Sequence, residues 1–187
     1  MRAALPGAST FGRGQALRAL REPFTVRPIA VADVPAAVAL VTRVLGEFDL
    51  AFGDGSETDL AMYALPGSYR DAGGEFWVAV AADGTIVGTC GVGPCVGTGL
   101  GTSCEADPST LELRKMYLAP ETRGHGLGAR LLDAAKGFAV AHGVRQLVLD
   151  TTEQMGAAIA FYERHGFVRD DSQIRGSRCS RGYILTL

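Results

Sequence analysis

The chain is poor in the residues that announce special chemistry. Aromatic side chains make up 7% of its 187 residues, with four cysteines and three histidines. Cys90, Cys95, Cys104 and Cys179 show neither the C-x-x-C spacing of zinc sites nor the density of a disulfide scaffold, so they are expected to be buried or idle thiols. His125, His142 and His165 lie far apart and form no ligand pair, and no metal site is expected. Charge of one sign is also missing: 18 basic against 20 acidic side chains give a formal charge of −2. That balance offers no broad positive surface and excludes a general nucleic-acid binder. Arg, Asp, Glu or Gly interrupts every apolar segment before it reaches the run of ~18 residues that a bilayer span needs, so no membrane partner and a cytoplasmic location are expected.

What is present is a hydrophobic fraction of 47%, enough for a packed core in one domain. Residues 1–22 differ, with Arg2, Arg13, Arg18 and Arg21 against Glu22. They read as a flexible basic arm; a transit peptide would also be arginine-rich, but the sustained amphipathic period is absent. Residues 23–187 then form a single domain.

From Phe24 the pattern alternates between strands and helices. Phe24 to Ala30 suits a strand, and Asp33 stands where a side chain caps a helix running to about Phe48, with Val34, Val38, Val41 and Leu45 on one face. Glu47, Asp49, Asp54, Glu57 and Asp59 then fall in an all-acidic segment, followed by a short helix near residues 58–64. Glu75 to Ala81 and Thr85 to Cys90, joined through Asp83-Gly84, read as a β-hairpin. A glycine-rich connection, 91–105, leads to a strand from Leu111 to Leu118. Beyond it lie a glycine loop, a helix closed by Gly143, a strand over Gln146 to Thr151 and a helix over Met155 to Arg164. Phe167 to Arg169 and Gly182 to Leu187 close the set.

The loop Arg123-Gly124-His125-Gly126-Leu127-Gly128 sits between a strand and a helix. Glycines there let the main chain approach a ligand closely, and the unpaired amides of the first helical turn favour an anion such as phosphate. Three phosphate loops compete. A triphosphatase loop must end in Gly-Lys-Ser/Thr, whereas Gly128 precedes Ala129-Arg130. The dinucleotide fingerprint is satisfied by Gly124, Gly126 and Ala129, with Asp150 ending a strand further on. Five residues nevertheless separate Leu118 from the first glycine, and only 37 residues follow Asp150, too few for the remaining βαβ units.

The third candidate is a resemblance. Residues 112–167 resemble the GNAT superfamily of acetyl-CoA-dependent N-acetyltransferases through the R-x-x-G-x-G signature at Arg123, Gly126 and Gly128, its preceding strand, and the A-x-x-F-Y-x-x-x-G-F pattern ending at Phe167. The resemblance implies a mixed α/β fold with a central, mostly antiparallel sheet flanked by helices. It implies acetyl-CoA as co-substrate, with the amides of Gly124, His125, Gly126, Leu127, Gly128 and Ala129 on the pyrophosphate and Arg123 shaping the loop or meeting an oxygen. Backbone groups of Met116 and Leu118 would bond the pantetheine arm, and an amide at a strand break near Met116 would polarise the carbonyl. One departure stands out: the family often has asparagine where this chain has Met155.

Acyl transfer needs a free amine, a polarised carbonyl and a proton for the departing thiolate. Tyr162 matches the family's tyrosine acid; packing alone would also explain an aromatic there. Glu112 matches a position that can supply a general base, and an ion pair with a nearby arginine is an equal reading. The acidic segment falls where the family builds an acceptor wall and would suit a cationic amine, or be merely solvated. The expected reaction is direct acetyl transfer to the primary amine of a small molecule or peptide, with a non-catalytic acyl-CoA-binding module as the alternative. Monomer and homodimer both stay open.

Overall fold

The computed structural model describes residues 24–53, 57–95 and 107–187. The proposed basic arm, Asp54, Cys104 and most of the glycine-rich connection lie outside them. Among the described residues seven strands form one sheet in the order β1-β2-β3-β4-β5-β7-β6. β1 (Thr25–Pro28), β2 (Glu75–Val80), β3 (Ile86–Gly93) and β4 (Thr110–Leu118) pair antiparallel in sequence. β5 (Gln146–Thr151) then runs parallel to β4, and β7 (Arg181–Thr186) pairs antiparallel with both β5 and β6 (Val168–Arg169).

The helices are α1 (Val34–Gly46), two single turns α2 (Glu57–Leu60) and α3 (Gly67–Arg70), α4 (Leu127–Ala141) and α5 (Gly156–Arg164). α1 turns Ala37, Leu40, Val41, Val44 and Leu45 inward, and α4 does the same with Leu127, Leu131, Leu132, Ala135 and Ala139, the spacing of one helical face. Trp77 of β2 meets Phe138 of α4 edge-on at 5.6 Å.

Local chemistry departs from expectation at three places. Asp33 does not cap α1. A 3-10 turn, Val31–Asp33, intervenes, and its carboxylate turns back to accept from the Ala30 amide at 2.8 Å and pair with Arg27. β3 continues to Gly93, three residues beyond the predicted strand, and Gly91 within it leaves room for the Tyr69 ring, which a β carbon there would approach to 2.6 Å. Cys95 is disulfide-bonded rather than idle, while Cys90 and Cys179 are free thiols.

α4 and α5 end alike. Gly143 and Gly166 have φ of 75° and 88°, and in each case the next residue's amide returns to the helix, Val144 to Ala139 at 3.0 Å and Phe167 to Tyr162 at 3.1 Å. The Gly-Phe pair after α5 is thus a helix cap, and its apolar contact is Phe167 against the Tyr162 ring at 5.4 Å. The cap that stops the helix also fixes the tyrosine.

Candidate active site

β4 and β5 pair only from Thr110 to Glu112 against Gln146 to Val148. Beyond that point β5 stays with β7, while β4 stays with β3 to Leu118, so the two parallel strands part and leave the end of β4 open on one side. The glycine loop lies at the top of this opening. Gly124 and Gly126 have φ of 80° and 77°, and nothing lies within 4 Å of where their β carbons would be. Both therefore serve backbone conformation and face open space. Gly126 precedes α4, whose first amides have no partner within the helix. Gly124, His125 and Gly126 are exposed, Arg123 and Ala129 half-buried, and Leu127 and Gly128 buried. A β carbon on Gly128 would sit 3.2 Å from the Phe161 ring and 3.4 Å from Leu118. The third glycine admits α5 to the loop, which explains why the glycine signature and the Phe161-Tyr162 pair occur together.

Arg123 shapes this loop. Its Nε and Nη2 donate to the Leu118 carbonyl at 3.2 and 3.0 Å, and Nη1 and Nη2 reach both oxygens of Glu47 at 2.7 and 2.9 Å. Two donors fill the lone pairs of the Leu118 carbonyl, so that carbonyl is unavailable to a pantetheine arm and only its amide remains. Met116 lies beyond the last β4–β5 pair, half-buried, within a local break. Thr89 faces Tyr117 and Gly91 faces Arg114, which leaves Lys115 and Met116 together opposite Cys90. This is a β-bulge, with Lys115 at a φ of 52°.

Tyr162 is buried on α5, 8% exposed, and packs edge-on against Phe161 and Phe167. Burial pushes its phenol well above the usual value, with Cys90 and Tyr117 adding to the shift. It therefore stays protonated and is a standing O–H donor.

The other flank of the opening is built from charge. Glu112, 6% exposed, has Oε2 2.9 Å from Arg114 Nε and Oε1 3.4 Å from Arg175. Of the two readings left open for Glu112, the geometry shows the ion pair, doubled. Asp59 is fully buried, paired with Lys115 and, at 3.0 Å, with Arg178, and accepts from the Gly53 amide at 2.8 Å. Burial would raise its carboxyl, but Lys115, the Gly53 amide and Arg178 together hold it below the usual carboxylate range. Glu47 is spent on Arg123. Two of the five acidic side chains in the supposed acceptor wall are thus already neutralised, which weakens the expected pull on a cationic amine. Asp150, the ribose candidate of the dinucleotide reading, instead accepts from the Arg175 and Gly176 amides at 2.8 and 2.7 Å and anchors the loop between β6 and β7. Among the described residues a single strand pair is parallel, which leaves no place there for the dinucleotide fold.

Sequence reasoning missed Asp59's partners and all of Arg114, Lys115, Arg175 and Arg178. The signal was in the strand itself: Glu112 and Arg114 alternate with Leu111 and Leu113, and Lys115 breaks the alternation where the bulge falls. A cavity of about 400 Å³, lined in part by Pro94, Cys95, Asp107 and His142, opens at the far end of β4. Asp107 there is committed to Ser109 and Thr110, and among the described residues the cavity holds no comparable cluster. Among the described residues no group of His, Cys, Asp or Glu could hold a metal ion, and no helix is long and apolar enough to cross a membrane.

Comparison with known proteins agrees with this architecture. The model of the acetyltransferase (GNAT) family matches residues 41–167. The chain is 33% identical over 147 residues to the uncharacterized N-acetyltransferase YjgM of Escherichia coli (strain K12), covering 78% of this chain and 83% of that protein. In structure it is similar to a GNAT-family acetyltransferase of Staphylococcus aureus, with a TM-score of 0.76 at 19% identity over 88% of this chain and 99% of that one. It is also similar to yncA of Salmonella typhimurium, solved with its cofactor acetyl-CoA, with a TM-score of 0.68 at 20% identity over 88% and 94%. The opened sheet, the glycine loop at the start of α4 and the capped tyrosine helix accompany a sequence match across most of the chain: this protein belongs to the acetyltransferase (GNAT) family.

Proposed function

We propose that the protein transfers an acetyl group directly from acetyl-CoA to the primary amine of a small molecule or peptide. The observation that carries this reading is the placement of three features together: left-handed glycines facing open space, unpaired helix amides, and the unpaired end of β4 beside them. Amides from Gly124 to Ala129 suit the pyrophosphate, which needs donors and no bulky side chain. The open β4 edge from Met116 onward suits the amides of the pantetheine arm, which would lie as an added strand.

Acetyl-CoA brings the activated thioester. The chain's part is to aim the carbonyl at the acceptor, to stabilise the oxygen as the C–N bond forms, and to supply a proton as the C–S bond breaks. Met116, in the bulge, has the amide for the oxygen. Tyr162 has the hydroxyl for the sulfur, and its burial keeps that hydrogen in place until negative charge develops. Glu112, held between two guanidinium groups, fixes the floor of the acceptor side. The amine arrives already neutral or loses its proton to water, and the nitrogen sheds a further proton to water once the C–N bond has formed. Tyr162, having protonated the sulfur, is reprotonated from solvent.

Titration calorimetry with coenzyme A, combined with a thiol-release screen over small amines, amino acids, peptide termini and lysine side chains, tests this reading. Tyr162→Phe is expected to lower kcat by on the order of a hundredfold while coenzyme A affinity holds. Tight coenzyme A binding with no thiol release from any acceptor class would replace the enzyme with a non-catalytic acyl-CoA-binding module.

A further inference from the structure

Of the two ion-pair clusters beside the opening, that of Asp59 is tied to an irregular peptide. Lys115 adopts a φ of 52°, a conformation that side chains with a β carbon rarely take. Such a residue persists only where its surroundings over-determine it. Here two interactions do so from opposite directions. Thr89 Oγ1 donates to the Lys115 carbonyl at 2.8 Å in a buried bond, and the Lys115 ammonium is held by Asp59 of α2. Asp59 in turn accepts from the Gly53 amide and from Arg178, whose other nitrogen donates to the Ala51 carbonyl at 2.7 Å. The segment before α2, the loop between β6 and β7, and the bulge therefore meet at one buried carboxylate. The peptide that follows Lys115 carries the Met116 amide, and its direction is set by the Lys115 backbone angles.

We propose that Asp59 is a positioning residue, which by holding Lys115 in the left-handed conformation aims the Met116 amide at the thioester carbonyl, with Arg178 tying that aim to the loop between β6 and β7. The inference rests on the reading above that the thioester lies in the opening between β4 and β5. Asp59 touches no reacting atom in this scheme. Its effect falls mainly on the chemical step, because the Met116 amide is only one contact of the coenzyme while the pyrophosphate is held by the glycine loop at the other end of the opening.

The test compares Asp59→Asn, Lys115→Ala and Lys115→Gly with the unaltered protein in three measurements: coenzyme A affinity by calorimetry, kcat and KM, and the infrared carbonyl band of bound, isotope-labelled acetyl-CoA. A mis-aimed amide forfeits part of what an oxyanion donor contributes, so Asp59→Asn and Lys115→Ala are expected to lower kcat by about tenfold or more. Coenzyme A affinity should hold, and the carbonyl band should move toward its position in free acetyl-CoA. Glycine takes a positive φ without the ion pair, so Lys115→Gly should recover much of the activity that Lys115→Ala loses. A purely structural ion pair would leave the band in place, and a direct role of the lysine charge would impair Ala and Gly equally; either result overturns the proposal. Should Asp59→Asn fail to fold, the two Lys115 variants decide it. If the unaltered protein shows no acetyl-CoA binding, the site reading fails first and takes this inference with it, whereas binding and turnover with a band insensitive to all three variants removes the inference alone.

Discussion

The two sides of the opening between β4 and β5 are built from different materials. The side bearing the glycine loop is main chain: positive φ at Gly124 and Gly126, the first amides of α4, and the unpaired edge of β4. The other side, the proposed acceptor side, is side-chain charge, with Glu112 between Arg114 and Arg175, and Asp59 between Lys115 and Arg178. A backbone site tolerates substitution wherever the new residue can adopt the same angles. A buried charge network tolerates little, because removing one member leaves the others desolvated and uncompensated. The acceptor side should therefore carry the larger share of the stability cost of mutation, and the glycine loop the larger share of the binding cost.

Glu112→Gln is the strongest way to break that comparison. It leaves the buried Arg175 guanidinium and the half-buried Arg114 facing a neutral amide, and disruption of a buried pair costs up to about 3–5 kcal/mol, which chemical denaturation would read directly. If the variant is instead as stable as the parent but loses turnover with a changed pH profile, Glu112 is a base after all. Gly126→Val sharpens the other half. A β-branched side chain at a φ of 77° costs on the order of 1–2 kcal/mol, and coenzyme A affinity should fall further than stability, since the displaced amides are those that face the ligand. Equal losses in the two measurements would mean that the loop is a turn with no ligand to hold.

Acid should find the acceptor side first. Asp59's folded carboxyl lies below the usual range, so its contribution is fully present above the unfolded value near ~3.9 and is lost as pH falls through the lower folded value. Urea midpoints followed from about pH 6 to pH 2 should show Asp59→Asn less stable than the parent at the upper end, with the gap narrowing as pH falls. A gap that stays constant would mean the carboxylate's charge does not matter to the fold.

The same contrast explains what the sequence made visible. Backbone requirements leave local marks. Gly124, Gly126 and Gly128, the caps at Gly143 and Gly166, and the apolar faces of α1 and α4 are each written within a few neighbouring residues, and the β-bulge left a smaller mark in Lys115. Partners of a buried charge carry no such mark, because Asp59 and Arg178 are separated by 119 positions and meet only through the fold. For the same reason the acidic segment allowed both an acceptor wall and a merely solvated loop: nothing near Glu47 announces Arg123, 76 residues away. Asp33 failed for a different reason. Its cap position was visible, but Arg27, six residues earlier and on the neighbouring strand, competes for the carboxylate.

Glu47→Gln is the mildest substitution and the one that best separates the two sides. The pair is bidentate, at 2.7 and 2.9 Å, but its side chains are 38% and 30% exposed, so water and salt weaken it. Its loss should cost less than about 1 kcal/mol, several times below the cost at Glu112, and that small difference should shrink further in high salt. Arg123 keeps both bonds to the Leu118 carbonyl in the variant, so the loop's main-chain geometry should survive and coenzyme A affinity should change little. Glu47 is also one of the acidic residues that would draw a cationic acceptor, and in the structure its charge already faces a guanidinium. Neutralising it should leave the KM of a cationic amine unchanged. A raised KM would show that Arg123 releases Glu47 when the acceptor binds, and would make this residue part of the acceptor side despite its place beside the glycine loop.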